Sequence, residues 1–305
     1  MDQKPKKVLV TGGAGFIGSN LVDALIDKGF DVIVIDNLSS GKKEYLNPKA
    51  KFYKADIRNL EKIKPLFRKV DYVFHLAAQP RIQPSIINPA ESHSNNVVGT
   101  LNVLIAARDA KVKKFIYSAS SSAYGDQEKL PLREDMSPRP KSPYSLFKLI
   151  GEQYCKLFTE IYDLPTVCLR YFNVYGPRQS CEGAYATVIG IFLRQAKAGE
   201  PLTIVGDGNQ TRDFTNVMDV VKANILAMES SRVGQGEVIN IGTGKNYTIN
   251  KIASLISKES IHTPPRLAEI RDTLADNSKA KEFLEWQPTI EIEQGIEELK
   301  RWLRI

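Results

Sequence analysis

The sequence predicts an α/β protein: a doubly wound parallel sheet followed by a smaller α+β region. Three observations carry this. Short apolar runs alternate with helix-period segments through the first half of the 305 residues. A glycine-rich loop follows the first apolar run and opens the first helical one. After about residue 172 that alternation gives way to Pro and Gly, as in Gly176-Pro177, Pro201, Gly206 and Gly208. Continuous apolar strands separated by helices imply a parallel sheet covered on both faces, because each strand must be apolar on both sides.

In chain order, Lys7–Thr11 reads as a buried strand and residues 16–28 as a helix. Asp31–Ile35 (DVIVI) is a β-branched second strand, residues 52–55 a short third and residues 72–76 a fourth. Residues 95–109 have helical spacing, residues 115–118 form a fifth strand, Pro143–Tyr162 is a long helix and Thr166–Tyr171 a sixth strand. Beyond it, short strands at Leu202–Val205 and residues 238–241 mix with helices at residues 185–198, Val217–Glu229, 250–257 and 292–302. The predicted division is a dinucleotide-binding half of Rossmann type, residues 1–172, and a second ligand-binding half, residues 173–305. The strand at 238–241 is a candidate to return to the main sheet.

Composition narrows the class. Hydrophobic residues at 42% and charged residues at 25% exclude a disordered chain. No apolar run approaches the roughly 20 residues of a membrane span. The start, MDQKPKKVLVTGG, lacks the apolar core of a signal peptide, so a cytoplasmic location is expected. Three cysteines without a CxxC and three scattered histidines predict reduced thiols and no metal. The net charge of +7 is spread along the chain, with a cluster only at Lys4, Lys6 and Lys7. That distribution fits a solvated surface and anionic small ligands better than nucleic acid.

The loop TGGAGFIG carries Gly12, Gly13, Gly15 and Gly18 between a strand and a helix. Glycines there let the backbone turn tightly and approach a pyrophosphate, while the helix N-terminus offers N–H groups and partial positive charge. Candidate cofactor contacts are Gly12, Gly15, Phe16, Ile17 and Gly18. Asp36 ends the second strand, 18 residues after Gly18. A carboxylate there accepts ribose hydroxyls and repels a 2′-phosphate, which favours NAD. Its neighbour Asn37, and Asp56 with Ile57 after the third strand, are further candidates, with Asp56 set to meet the adenine amino group.

Tyr144 and Lys148 stand four residues apart at a helix start, one turn along one face. A phenol with an ordinary pKa of about 10 needs a nearby positive charge to act as a base. Lys148 and the nicotinamide are the expected sources, and Lys148 is also expected to hold the nicotinamide ribose. The cluster SASSSAYG comes after the fifth strand, where such sheets present ligand-binding groups. Ser120, and after it Ser122, are the candidates to share the proton.

These segments, together with DNLSSG, FHLAAQ, NNVVGT, LRYFNVYGPRQ, GDGNQTRDF and INIGTG, resemble the extended short-chain dehydrogenase/reductase family, and within it the UDP-hexose 4-epimerases. The resemblance spans nearly the whole chain. It implies bound NAD and a UDP-sugar substrate. Tyr144 would remove the 4-hydroxyl proton as a 4-keto sugar forms transiently. It also implies that Asn96 contacts cofactor, that Asn173, Arg212 and Arg266 hold the sugar nucleotide, and that Thr273 lines the sugar pocket. A small residue there leaves room for a C2 N-acetyl group, so UDP-GlcNAc and UDP-GalNAc are expected beside UDP-glucose and UDP-galactose. The family's dimers suggest a homodimer through the helices at 95–109 and Pro143–Tyr162.

Three alternatives remain open. Dehydratases resembling this chain carry an Asp-Glu pair where Ser121 and Ser122 stand, and the related decarboxylases usually keep the Glu. A UDP-glucuronate 4-epimerase would need a cation facing the C6 carboxylate, for which Arg81 is a candidate. A non-catalytic NAD-binding regulator would have no need for Ser120, Tyr144 and Lys148 together.

Overall fold

The computed structural model describes residues 5–183, 186–265 and 270–305. The first half contains β1 (Lys7–Thr11), α1 (Phe16–Asp27), β2 (Asp31–Asp36), β3 (Lys51–Lys54), α2 (Leu60–Ile63) and β4 (Tyr72–His75). Next come α3 (Ile82–Ile87), α4 (Pro89–His93), α5 (Gly99–Asp109), β5 (Lys114–Ser120), α6 (Pro143–Tyr162) and β6 (Thr166–Tyr171). The second half holds β7 (Val174–Tyr175), α7 (Val188–Ala198), β8 (Leu202–Val205), β9 (Thr211–Arg212) and β10 (Thr215–Asn216). It continues with α8 (Val217–Glu229), β11 (Gln235–Ile241), β12 (Tyr247–Thr248), α9 (Ile249–Ile256), β13 (Ser260–Thr263), α10 (Ser278–Leu284) and α11 (Ile292–Leu303).

Seven strands form one parallel sheet in the order β11-β6-β5-β4-β1-β2-β3. The order reverses between β1 and β4, and ligands bind beyond the strand ends at such a reversal. β1 is buried along Val8–Thr11 and β6 along its whole length, as a doubly covered sheet requires. One face packs Val22, Leu25, Val220, Ala223 and Trp286, drawn from α1, α8 and the turn after α10. The other packs Ile63, Phe67, Leu104, Ala107, Cys155 and Phe158, drawn from α2 and the turn after it, α5 and α6. A separate core of Ile189, Phe192, Leu202, Ile252, Ile296 and Leu299 joins α7, β8, α9 and α11.

The predicted 172/173 boundary is therefore not a clean division, because two segments from beyond it return to the main sheet. β11 lies along β6 as an edge strand, with Val238 opposite Cys168 and Ile241 opposite Tyr171. α8 lies on the same sheet, and Trp286 donates its Nε1–H to Asp219 O at 2.9 Å. The helix expected at 95–109 differs too. Ser94–Val98 is a π-helical turn between α4 and α5, so the helical path begins at Pro89. A π turn adds a residue to the repeat and rotates the next part of the helix about its axis, which sequence periodicity does not reveal.

Candidate active site and cofactor cleft

A cleft of about 910 Å³ runs along the C-terminal ends of the main-sheet strands. At one end lies the glycine loop. Gly12 has φ 73°, and a Cβ on Gly18 would collide with Gly12 O. Gly15 N–H donates to Gly12 O at 3.1 Å, closing the turn that starts α1. Gly12, Gly15, Phe16, Ile17 and Gly18 all line the cleft. The glycines form a backbone cradle with no room for side chains of their own, suited to a pyrophosphate at a helix N-terminus.

Asp36 lines the cleft at the end of β2, with Asn37 beside it. Its Oδ2 accepts Ala14 N–H at 3.0 Å and its Oδ1 accepts Leu38 N–H at 2.8 Å. Burial raises its pKa against those two bonds. Each carboxylate oxygen retains acceptor capacity for a ribose hydroxyl. The cradle and this carboxylate fit a dinucleotide without a 2′-phosphate.

Two further expected cofactor contacts, Asp56 and Asn96, carry bonds within the protein. Asp56 is gripped by Arg58 through Nε at 2.9 Å and Nη2 at 2.6 Å, and it accepts Asn37 Nδ2 at 3.3 Å. The Arg58 bonds, the largest cause, lower its pKa to about 2. Ala55 and Ile57 line the cleft there, while the Asp56 carboxylate bonds Arg58 in its own turn and Asn37 at the end of β2. Asn96 is 1% exposed and turned inward. Its Oδ1 accepts Gln79 N–H at 2.7 Å and its Nδ2 donates to Gln79 O at 3.0 Å. The π turn faces Asn95, not Asn96, to the cleft.

The proton-transfer group sits mid-cleft. α6 starts with Ser142 accepting Ser145 N–H at 3.2 Å and Pro143 in its first turn, a strong helix start. Gly151 lets α6 close on β5, since a Cβ there would collide with the Tyr117 hydroxyl. This brings Tyr144 and Lys148 to the end of β5. Ser120, Ser121 and Ser122 also line the cleft, and Ser120 Oγ lies 2.9 Å from Ser122 Oγ and accepts Ser122 N–H at 3.2 Å.

Burial raises the Tyr144 pKa, opposed by hydrogen bonding with Ser120 and by the charge of Arg81. Lys148 Nζ donates to Ser118 O at 2.7 Å and lies 5.0 Å from the Tyr117 ring centre. Burial lowers its pKa to about 8, with Glu152 pulling the other way. Below them His75 bridges Thr11 Oγ1 at 2.7 Å and Thr100 Oγ1 at 2.9 Å, kept neutral by burial at a pKa of about 3.

The far end of the cleft is lined by Asn173, Arg212, Ile270 and Thr273. Thr273 is 4% exposed, and its Oγ1 accepts Asn173 Nδ2 and Asp213 N–H, each at 3.3 Å. Asn173 Nδ2 also donates to Asp213 O at 3.0 Å. Arg212 Nη1 donates to Thr211 O at 2.9 Å and Arg271 O at 3.0 Å, which fixes one arm of its guanidinium fork. The Asp213 carboxylate accepts the N–H groups of Thr243, Gly244 and Ala275 and anchors this wall. Arg266 lies outside the described residues. Sequence reasoning passes over Arg178, which lines the cleft and pairs with Asp23 at 2.7 Å. Its place in YGPRQ, directly after β7, is the available signal.

Among the described residues there is no helix long and apolar enough to cross a membrane, and no group of three or more His, Cys, Asp or Glu placed to hold a metal ion.

Residues 8–242 match the family described as the NAD dependent epimerase/dehydratase family. A solved UDP-glucose 4-epimerase of Thermotoga maritima, with UDP-glucose, is 44% identical with a TM-score of 0.94 over 98% of each chain. A UDP-N-acetylglucosamine 4-epimerase of Methanobrevibacter ruminantium M1, in complex with UDP-N-acetylmuramic acid, is 40% identical with a TM-score of 0.93 over 99% of each. A UDP-N-acetyl-alpha-D-glucosaminuronate decarboxylase of Bacillus cytotoxicus is 36% identical over 98% of each chain.

Proposed function

The chain belongs to the NAD-dependent epimerase/dehydratase family, and we propose that it catalyses 4-epimerisation of a UDP-hexose through a transient 4-keto sugar. The observation that carries this reading is the meeting of Tyr144, Ser120 and Lys148 in one cleft with a glycine cradle at one end and Arg212 at the other. NAD, held by the cradle, Asp36 and Lys148, supplies a hydride acceptor and donor when bound. The residues of the chain do the rest. Tyr144 takes the proton of the sugar 4-hydroxyl and later returns it, with Ser120 sharing that proton. Lys148 holds the nicotinamide ribose. Arg212 grips the diphosphate, for which a planar guanidinium gives charge-assisted, paired bonds.

Residues 1–172 thus supply the cofactor groups, and residues 173–305 the groups for the sugar nucleotide, Arg266 among them. Dehydration or decarboxylation is disfavoured by Ser121 and Ser122, which offer no carboxylate for acid-base work at the end of β5. A homodimer through α5 and α6 is supported by the exposed apolar side chains Leu157, Ile161 and Tyr162 on α6. The setting is cytoplasmic, with no nucleic-acid partner.

The preferred sugar depends on Thr273. It stands in the wall of the pocket where a tyrosine would bring a whole ring. UDP-GlcNAc and UDP-GalNAc are therefore expected to be interconverted, as are UDP-glucose and UDP-galactose. Thr273→Tyr is expected to abolish turnover of the N-acetylated pair and spare the plain pair. Overlap of an acetamide with a fixed phenol costs more than the roughly 1–3 kcal/mol of one extra methylene in a pocket. Chromatography of a UDP-sugar panel with both enzymes checks this. Equal loss on both pairs, or no wild-type activity on UDP-GlcNAc, contradicts the assignment.

A further inference from the structure

The chain that leaves β7 passes from the substrate half onto the cofactor half and back. Residues 176–182 follow β7 and precede α7. On the cofactor side, α1 carries Phe16, Asn20 and Asp23 at helical spacing, on one face that runs away from the glycine cradle. Asn20 Nδ2 donates to Pro177 O at 3.1 Å as well as to Phe16 O at 2.9 Å. One turn further on, Asp23 Oδ2 lies 2.7 Å from Arg178 Nη1, while its Oδ1 accepts Asn47 Nδ2 at 2.7 Å. The Arg178 guanidinium also lies 5.8 Å from the centre of the Tyr45 ring, between β2 and β3. On the substrate side, Thr187 caps α7. Its Oγ1–H donates to Gln179 Oε1 at 3.0 Å and its N–H to Ser180 O at 3.2 Å. Between these anchors Arg178 adopts φ 68°, a region that residues other than glycine seldom enter and that persists where the surroundings enforce it. Arg178, Ser180 and Cys181 line the same cleft as Phe16, Ile17 and Tyr45.

We propose that residues 176–182 form a strap across the cofactor cleft, and that its latch, Asn20 on Pro177 and Asp23 on Arg178, sets how long NAD stays bound. This rests on NAD being the resident cofactor. The cradle, Asp36 and Tyr45 border the part of the cleft that suits a dinucleotide, and the strap borders it as well. A dinucleotide leaves when the strap lifts, and lifting it breaks the Asn20 bond and the Arg178 ion pair together. A cofactor that is regenerated in every turnover gains from slow release, since its loss stops the cycle. Arg178 and Asp23 are 28% and 32% exposed, so the pair is modest in strength and weakens with salt.

The test is the rate of NAD release. NAD-loaded enzyme is diluted into excess isotopically labelled NAD, and the bound cofactor is followed by mass after rapid gel filtration. Wild type is compared with Asp23→Asn, Arg178→Gln and the two together. Asparagine keeps an oxygen for Asn47 and removes the charge. Each single variant is expected to release NAD about two- to fivefold faster at low salt, the range that a partly exposed ion pair supports. The double variant is expected to be no faster than the faster single one, because both remove the same latch. At about 1 M sodium chloride, where the screening length falls to about 3 Å, the wild-type rate is expected to rise toward that of the variants. This salt arm needs no substitution and stands even if a variant does not fold. Unchanged release in the variants, effects that add in the double variant, or a wild-type lead that persists at high salt would each overturn the strap. A purified chain that neither carries nor takes up NAD would overturn the cofactor reading and the strap with it.

Discussion

Tyr144→Phe is expected to lower turnover by about 10²–10⁴-fold while NAD stays bound. The substitution removes one oxygen from a ring in the wall of the cleft, so packing and the helix start at Ser142 and Pro143 are kept. The loss is of the phenol oxygen that lines the cleft together with Ser120 and Lys148. Ser120 does not replace it, because a serine hydroxyl is un-ionised at neutral pH and relays a proton without serving as its base. Turnover by the purified variant, with NAD content measured after denaturation, checks this. A rate above about a tenth of wild type would move the base elsewhere.

Glu152→Ala is expected to cost about 3–5 kcal/mol of stability. Glu152 lies two turns beyond Tyr144 on α6, with its side chain 1% exposed, and Arg170 on β6 is 3% exposed. Two bonds join them, Nε to Oε1 at 2.8 Å and Nη2 to Oε2 at 2.7 Å. The guanidinium also lies 4.5 Å from the Tyr124 ring centre. Removing the carboxylate leaves a buried positive charge without its counter-ion. Replacing both partners by apolar residues of similar size is expected to cost much less, because no charge is then stranded. Urea unfolding of the single and double variants separates the two cases. A loss below about 1 kcal/mol in Glu152→Ala would show that the pair is not holding α6 to β6.

Much of the site is legible in the sequence because it sits where regular elements begin or end. β1, β6 and α6 have the bounds that their apolar periods indicate. Tyr144 and Lys148 share a face because four residues make about one turn, and Gly151 and Ser142 support that face locally. Other features depend on contacts between distant segments. β11 joins the main sheet through β6, far earlier in the chain, and nothing in its own sequence names that partner. Asn96 turns inward because of a π turn that shifts the helical phase. That Arg58, two residues on, folds back onto Asp56 is likewise not written in the strand pattern. Helix spacing points to Lys148 as the charge beside Tyr144. The bond from Tyr144 N–H to Ser85 Oγ, which ties the start of α6 to the segment after β4, belongs to tertiary structure.

The central claim is that the reaction at C4 is redox-neutral overall. It is tested by incubating the purified enzyme with UDP-galactose and no added cofactor, tracking the sugars by chromatography and mass and NADH by its absorbance. The account predicts conversion to UDP-glucose at unchanged mass, to an equilibrium mixture, with no NADH accumulating in proportion to product. NADH rising with product would identify a dehydrogenase, and a product lighter by one water would identify a dehydratase; either result would contradict it.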